Sequence, residues 1–291
     1  MDKKSQILYV ICGILVILII AITVAIVVNS GSKPVKISST ELTYKMAKNL
    51  LDGYCKVNER EARNYILKDN IKEAYLSLIN KKTDVVLASD IDDETIKWLE
   101  DNGVEIEKTA IARDALVFLK NADNPIKDLT EEQIRGIFSG KYLNWAELGG
   151  DDAEIIAYSS DNEREEWYMM KMFMGDRVLI RPKYRLKDES FNGLKEALIS
   201  FLDTGKKSIG YTTYYNVKNN SDDEIRMLSV SGVEPSESTI KSGEYLPTMN
   251  IYVIIRKDTA KNSQTRRFVE YIISKNGQAI IEQCGYVNLV K

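Results

Sequence analysis

Residues 7–28 form an uncharged run of 22 residues rich in Ile, Val and Leu, and this run divides the chain into two materials. At about 1.5 Å rise per residue, a helix of that length spans roughly 33 Å, enough for the hydrocarbon core of a bilayer. A helix buried in a globular core would normally show a polar stripe, and this run shows none. Lys3 and Lys4 precede it, so the short N-terminus is expected in the cytoplasm and the rest outside. A cleaved signal peptide is the alternative. The run exceeds the usual apolar core of about 7–15 residues, however, and Val28, Asn29 and Ser30 replace an Ala-x-Ala site. Bulky Tyr9, Val10 and Ile11 precede Cys12, where a lipoprotein site needs small residues. The expectation is therefore a cytoplasmic segment 1–6, a single-pass anchor 7–28 in the cell membrane, and a flexible tether 29–36.

Composition narrows the chemistry open to the rest of the chain. There is no histidine, which removes Ser-His and Cys-His catalytic pairs and every imidazole metal site. Cys12, Cys55 and Cys284 lie far apart, without zinc-ribbon or redox spacing. Residues 1–36 hold four Lys and one Asp, leaving 36 basic and 42 acidic residues beyond them, a net charge of −6. That balance argues against a nucleic-acid partner, and no cofactor motif stands out.

The part beyond the tether alternates strand and helix signals. Residues 35–37 are a short apolar start, after which Thr43, Met46, Ala47, Leu50, Leu51 and Tyr54 recur at helical spacing. Residues 61–80 read as a second amphipathic helix through Ala62, Ile66, Leu76 and Ile79. The runs 84–88 (DVVLA) and 115–119 (ALVFL) suit buried parallel strands. Thr130 with Gln133 forms a capping box that launches a helix to Phe138. Further strands are expected at 155–158, 209–215 and 251–256, with helices at 162–174, at 265–273 and before Gly285. Trp167, Tyr168, Met169, Met170 and Met172 read mainly as core. This alternation predicts an α/β protein with mainly parallel sheets.

Residues 115–150, ALVFLKNADNPIKDLTEEQIRGIFSGKYLNWAELGG, resemble the phosphate-binding proteins of bacterial ABC importers, whose stretch reads approximately ALVV…NPxNPVxxLTxxQLxxIFSGKxxNWxxVGG. Val86 to Asp90 is similar to the family's GASD turn, Ser208 to Tyr211 to its IGY strand, and residues 268–289 to its SKEGQ…GYVPL ending. The resemblance implies a two-lobed periplasmic-binding-protein type II fold. Each lobe would be a doubly wound, mostly parallel sheet, with lobe 1 over 37–112 plus 212–291 and lobe 2 over 113–211. It also implies a small anion, phosphate by default, held between the lobes by strand-to-helix corners and delivered to an ABC permease.

Carried over position by position, Ser38, Ser39 and Thr40 occupy the first phosphate turn, keeping hydroxyls but losing a Gly. Ser89 and Asp90 match the second turn, with Asp90 accepting a phosphate proton. In the third turn Tyr158 stands where the family has Arg, and Asn162, Glu163 and Arg164 stand for Ser-Gly-Thr, leaving Ser159, Ser160 and Asn162 as polar candidates. Against these, Ser38 with Glu41 and Ser160 with Glu163 also read as capping boxes, in which each Glu covers the amides an anion would use. At roughly 5 Å and an effective dielectric near 20, a like-charge pair repels by about 3 kcal/mol, or two decades of affinity. Cys55 and Cys284 end the first and last helices, and a disulfide or two free thiols are both open.

The sequence supports two functional classes. One is an extracytoplasmic solute-binding protein for phosphate or a related anion. The other is a membrane-held sensor or interaction protein whose pocket has decayed. No nucleophile-base pair supports an enzyme. For the anchor, peptide mass spectrometry of the membrane fraction is expected to recover the intact N-terminus; a mature start near Gly31 would show cleavage.

Overall fold

A computed structural model describes residues 32–89, 93–101, 103–158, 165–178, 186, 190–199, 205–220 and 222–289. The expected anchor at 7–28 lies outside these residues. Among the described residues no helix is long and apolar enough to cross a membrane.

In chain order the elements begin with β1 (Ile37–Ser39), α1 (Tyr44–Cys55), α2 (Glu59–Ala62), β2 (Ile66–Lys68), α3 (Ile71–Ile79), β3 (Val85–Ser89) and α4 (Asp93–Asp101). Next come β4 (Ile106–Asn121), β5 (Asp128–Leu129), α5 (Glu131–Phe138), β6 (Ile156–Ala157), α6 (Glu165–Met174) and α7 (Phe191–Ile199). They are succeeded by β7 (Ser208–Thr213), α8 (Tyr214–Asn219), β8 (Ile225–Met227), β9 (Ser229–Val230) and α9 (Glu237–Ser242). The last are β10 (Thr248–Arg256), α10 (Gln264–Ile273), α11 (Lys275–Gln283) and β11 (Val287–Asn288).

Local chemistry accounts for several of these boundaries. Thr130 and Gln133 make the expected reciprocal capping box at α5. Residues 61–80, expected as one helix, divide into the end of α2, strand β2 and helix α3. The side chain of Asn70 accepts from the Glu73 amide and restarts the helix, while Ile66, Leu67 and Lys68 extend beside β1.

Nine described strands share one sheet, ordered β2-β1-β3-β10-β4-β7-β6, with β8 and β11 also on β4. β1 runs parallel to β2 and β3, and β6 parallel to β7. β10 is antiparallel to both β3 and β4, and β4 is antiparallel to β7, β8 and β11. The sheet is therefore mixed rather than mostly parallel. The reason is topological: β4 and β10 carry the chain in opposite senses and lie side by side. An apolar run cannot reveal this, because a doubly buried strand reads the same in either direction.

β4 organises the assembly. Residues 106–115 pair with β10, whereas 116–121 pair with β7 and β8. Beside the first half, Ile37, Val85 and Leu87 bury one sheet face with Met46, Leu50 and Leu51 of α1. Val86 and Ala88 bury the other face with Ala74, Tyr75 and Leu78 of α3. Beside the second half, Phe118 packs on Phe138 and Phe173. Met169 and Met170 are buried as expected of a core stripe, whereas Tyr168 and Met172 face outward.

The cysteine question resolves as two free thiols. Cys284 is buried and its sulfur accepts from Asn49, while Cys55 donates to the Leu51 carbonyl. Burial raises both thiol pKa values, which keeps them protonated and unreactive.

Gly277 opens α11 tightly against the end of α10. A Cβ there would overlap the Tyr271 carbonyl oxygen and stand 2.5 Å from that of Ile272. Gly277→Ala is expected to cost about 1–3 kcal/mol, read as a lower urea midpoint at unchanged slope in the full-length chain. An unaltered midpoint would mean that the helix pair can separate without cost.

Candidate functional site

The carboxyl ends of the parallel strands β1 and β3 form adjacent corners. Pairing of Ser39 with Leu87 places Ser39 and Ser89 on the same sheet face, since residues two apart share a face. Ser38 faces the other way. Its hydroxyl donates to Asp69 at 2.5 Å, where Ser77 also donates at 3.2 Å. Of the first-turn candidates within β1, Ser39 therefore shares the Ser89 side and Ser38 does not, while Thr40 begins the corner beyond the strand.

The corner between β1 and α1 is built by hydroxyls. The Thr40 amide donates to the Thr43 hydroxyl at 3.0 Å, and that hydroxyl donates to the Leu87 carbonyl at 2.6 Å. These bonds tie the turn to β3. α1 begins only at Tyr44, with Thr43 at its N-cap making no side-chain cap bond and no acidic residue in the first turn. The capping box expected between Ser38 and Glu41 is absent, because Ser38 is held in β1. Glu41 is exposed and pairs with Lys68. The positive end of this twelve-residue helix therefore carries no internal carboxylate.

Ser89 ends β3, buried and paired with Ile251 of β10. Asp90 lies outside the described residues, as do Ser159, Ser160, Asn162 and Glu163. The β6 strand that would lead into the third turn is present, with Tyr158 donating its amide to the Ile209 carbonyl.

Sequence reasoning missed Asp114. Ile251 pairs with Ala112 and Met249 with Asp114, so Asp114 lies two residues past the level of Ser89 on the same face. At about 3.3 Å per residue this is roughly 7 Å beyond the end of β3. Asp114 is 1% exposed. Its Oδ1 accepts from the amides of Ala115 at 2.8 Å and Tyr215 at 3.0 Å. Its Oδ2 has no partner of ordinary hydrogen-bond geometry among the described residues, the Thr213 hydroxyl acting on the carboxyl without forming such a bond. Burial pushes the carboxyl up to about 7 against those amide bonds and the Thr213 hydroxyl, with the charge of Glu166 adding to the rise. Glu166 of α6 is itself held by Asn216, which also reaches Thr212. The only signal in the sequence was an acid placed directly before an apolar run.

A continuous set of contacts joins Asp114 to the first corner. The Tyr215 ring stacks on Tyr286 at 4.4 Å, and the Tyr286 hydroxyl donates to the Leu42 carbonyl at 2.7 Å. Burial and nearby negative groups, Glu41 among them, push the Tyr215 phenol up to about 12.

Comparison with known proteins agrees with this architecture. The chain is 23% identical over 283 residues to the phosphate-binding protein PstS of Borreliella burgdorferi, covering 94% of this chain and 98% of that one. It is 29% identical over 205 residues to the phosphate-binding protein PstS of Staphylococcus epidermidis, covering 68% of this chain and 61% of the relative. Its fold is similar to that of an ABC-type phosphate transport receptor from Vibrio cholerae, with a TM-score of 0.68 at 19% identity, covering 87% of this chain and 99% of that one. A family model described as a PBP superfamily domain matches residues 53–276, and the chain belongs to that family.

Proposed function

We propose that this protein is an extracytoplasmic solute-binding protein that captures phosphate or a related small oxyanion between two lobes and feeds an ABC permease. Its relatives are named for binding phosphate, not for catalysis. The observation that carries the reading is the corner after β1. A helix N-terminus free of capping carboxylate stands at the carboxyl ends of two parallel strands, which is where open α/β sheets hold anions.

In this reading Ser39, Thr40 and Ser89 supply the first lobe's contacts. Asp90 comes directly after Ser89 and would accept a proton from a hydrogen phosphate. Ser159, Ser160 and Asn162 come after β6 and would supply contacts from the second lobe. Sheet pairing supports one lobe built on residues 106–115 of β4 and another on 116–121. Residues 225–230 then belong to the second lobe, since β8 pairs with β4 and β9 with β5. That differs from the expected return near residue 212. The uncharged run at 7–28 supports tethering to the outer face of the cell membrane, beside the permease.

A thermal-shift screen of the full-length chain in detergent against phosphate, sulfate, phosphonates and amino acids tests this. At one hundred times Kd, phosphate stabilises the fold by about 2.7 kcal/mol, a rise of roughly 5–10 °C. No shift with any oxyanion, or a shift with amino acids alone, would overturn the reading.

A further inference from the structure

Asp114 sits where β4 changes partners, and the proposed ligand contacts do not include it. One carboxylate oxygen ties β4 to the first turn of α8 through the Tyr215 amide, while the other is buried without a partner of ordinary hydrogen-bond geometry among the described residues. Tyr215 passes the connection through Tyr286 to Leu42, in the corner that precedes α1. A buried acceptor with no donor is costly, and a negative charge there is costlier still.

We propose that Asp114 is a positioning residue for anion capture: its carboxyl clamps the strand crossing to the β1–α1 corner, and tight binding requires that it keep its proton. This rests on the oxyanion reading of the site. When Asp114 ionises, a charge develops on the face shared with Ser39 and Ser89, and repulsion weakens the bound anion. Asp114 and its ligand therefore compete for the same electrostatic environment, so anion binding draws a proton onto the carboxyl.

The other titratable groups around it are few. Glu166 of α6 reinforces the neutral form. Tyr214 and Tyr215 of α8 both feel the Asp114 charge. Lys218 and Glu237 act on Tyr214, and Glu41 and Cys284 act on Tyr215. On β4 itself Arg113 is engaged by Asn250 and by the Ile240 and Lys241 carbonyls.

The raised titration gives the pH dependence its sign. The folded carboxyl titrates at about 7 against an ordinary 3.8. Its contribution to stability is therefore full below pH 3.8, falls as pH rises towards 7, and is flat above that. Ligand affinity has a different window: it is unaffected while the carboxyl stays protonated and falls above pH 7.

The test compares the full-length chain in detergent with Asp114→Asn, whose side-chain oxygen preserves the two amide bonds. Kd for inorganic phosphate is measured by calorimetry from pH 5.5 to 9. The ratio of the two Kd values at each pH cancels the ionisation of phosphate itself. The ratio is expected to be constant below pH 7 and to rise about tenfold against the unaltered chain above it, the effect of a unit charge about 10 Å away at an effective dielectric near 20. Melting temperatures without ligand provide the second readout. The unaltered chain is expected to lose roughly 5–10 °C relative to Asp114→Asn between pH 4.5 and 7. Glu166→Gln is expected to shift the midpoint of both curves to lower pH while preserving their shape. A constant Kd ratio across the range, with phosphate bound, overturns the coupling. Parallel melting curves show that Asp114 does not titrate there and overturn it as well. Absence of phosphate binding by both chains at every pH overturns the oxyanion reading and the coupling with it, and divergent melting curves would then locate the failure in the ligand rather than in Asp114.

Discussion

One strand holds the structure together, and its backbone must be satisfied where its neighbours change. β4 contributes to both halves of the sheet, paired with β10 up to Ala115 and with β7 from Leu116 onward. Between Ile251 and Tyr252 the register with β10 slips, leaving Ile111 as an extra residue. A bulge exposes a carbonyl that the ladder no longer serves, and Gln278 of α11, itself buried, donates to it. A little further on, Ala115 donates its amide to Asp114, Leu116 donates to the Pro247 carbonyl, and the Tyr245 hydroxyl donates to the Leu116 carbonyl. The crossing is thus closed by groups from β4 itself and from the second half of the chain. These buried backbone groups find partners, as they must where water is excluded.

That arrangement explains why the β1–α1 corner can be both rigid and polar. Thr43 does not cap its own helix but reaches across to the Leu87 carbonyl, so the energy of the bond goes into holding two strands rather than into helix initiation. Tyr286, near the far end of the chain, reaches back to Leu42. Among the described residues Thr43 makes no side-chain cap bond to the start of α1, and the first turn of that helix holds no acidic residue. A carboxylate folded onto the amides there would have made an ordinary helix end; Glu41 instead lies out on Lys68, where solvent screening leaves the pair worth little.

The parts legible in the sequence were those governed by local rules. The α5 capping box and the stripe of Met46, Ala47, Leu50 and Leu51 required only neighbours along one helix. Failures came where tertiary pairing overrode them. Ser38 and Glu41 have capping-box spacing, but strands on both sides of β1 keep Ser38 extended. Ile66 fits a helical stripe, yet three residues beside β1 gain more from a ladder than from another turn of helix. The direction of β10 left no trace in its composition. At the proposed site, Ser39 and Ser89 were named through the resemblance and lie at the ends of adjacent strands, whereas Asp114 was not named, because a single acid in an apolar strand shows nothing of its burial until its partners are placed.

Burial gives that acid an electrostatic consequence. The region beyond the tether carries a net charge of −6, so it does not attract anions at long range, and discrimination has to arise locally. Near the proposed site the described carboxyl groups include Asp114 and Glu166, with Asp69 behind Ser38 on the other sheet face and Glu41 at the edge. A neutral carboxyl can donate a hydrogen bond, and an ionised one can accept a proton, but an ionised one facing a fully deprotonated oxyanion can only repel it. While Asp114 keeps its proton it repels neither kind of anion, and once ionised it repels both. In the proposed reading its titration therefore sets the strength of anion binding in general, and the choice between anions of nearly identical shape falls to groups nearer the ligand.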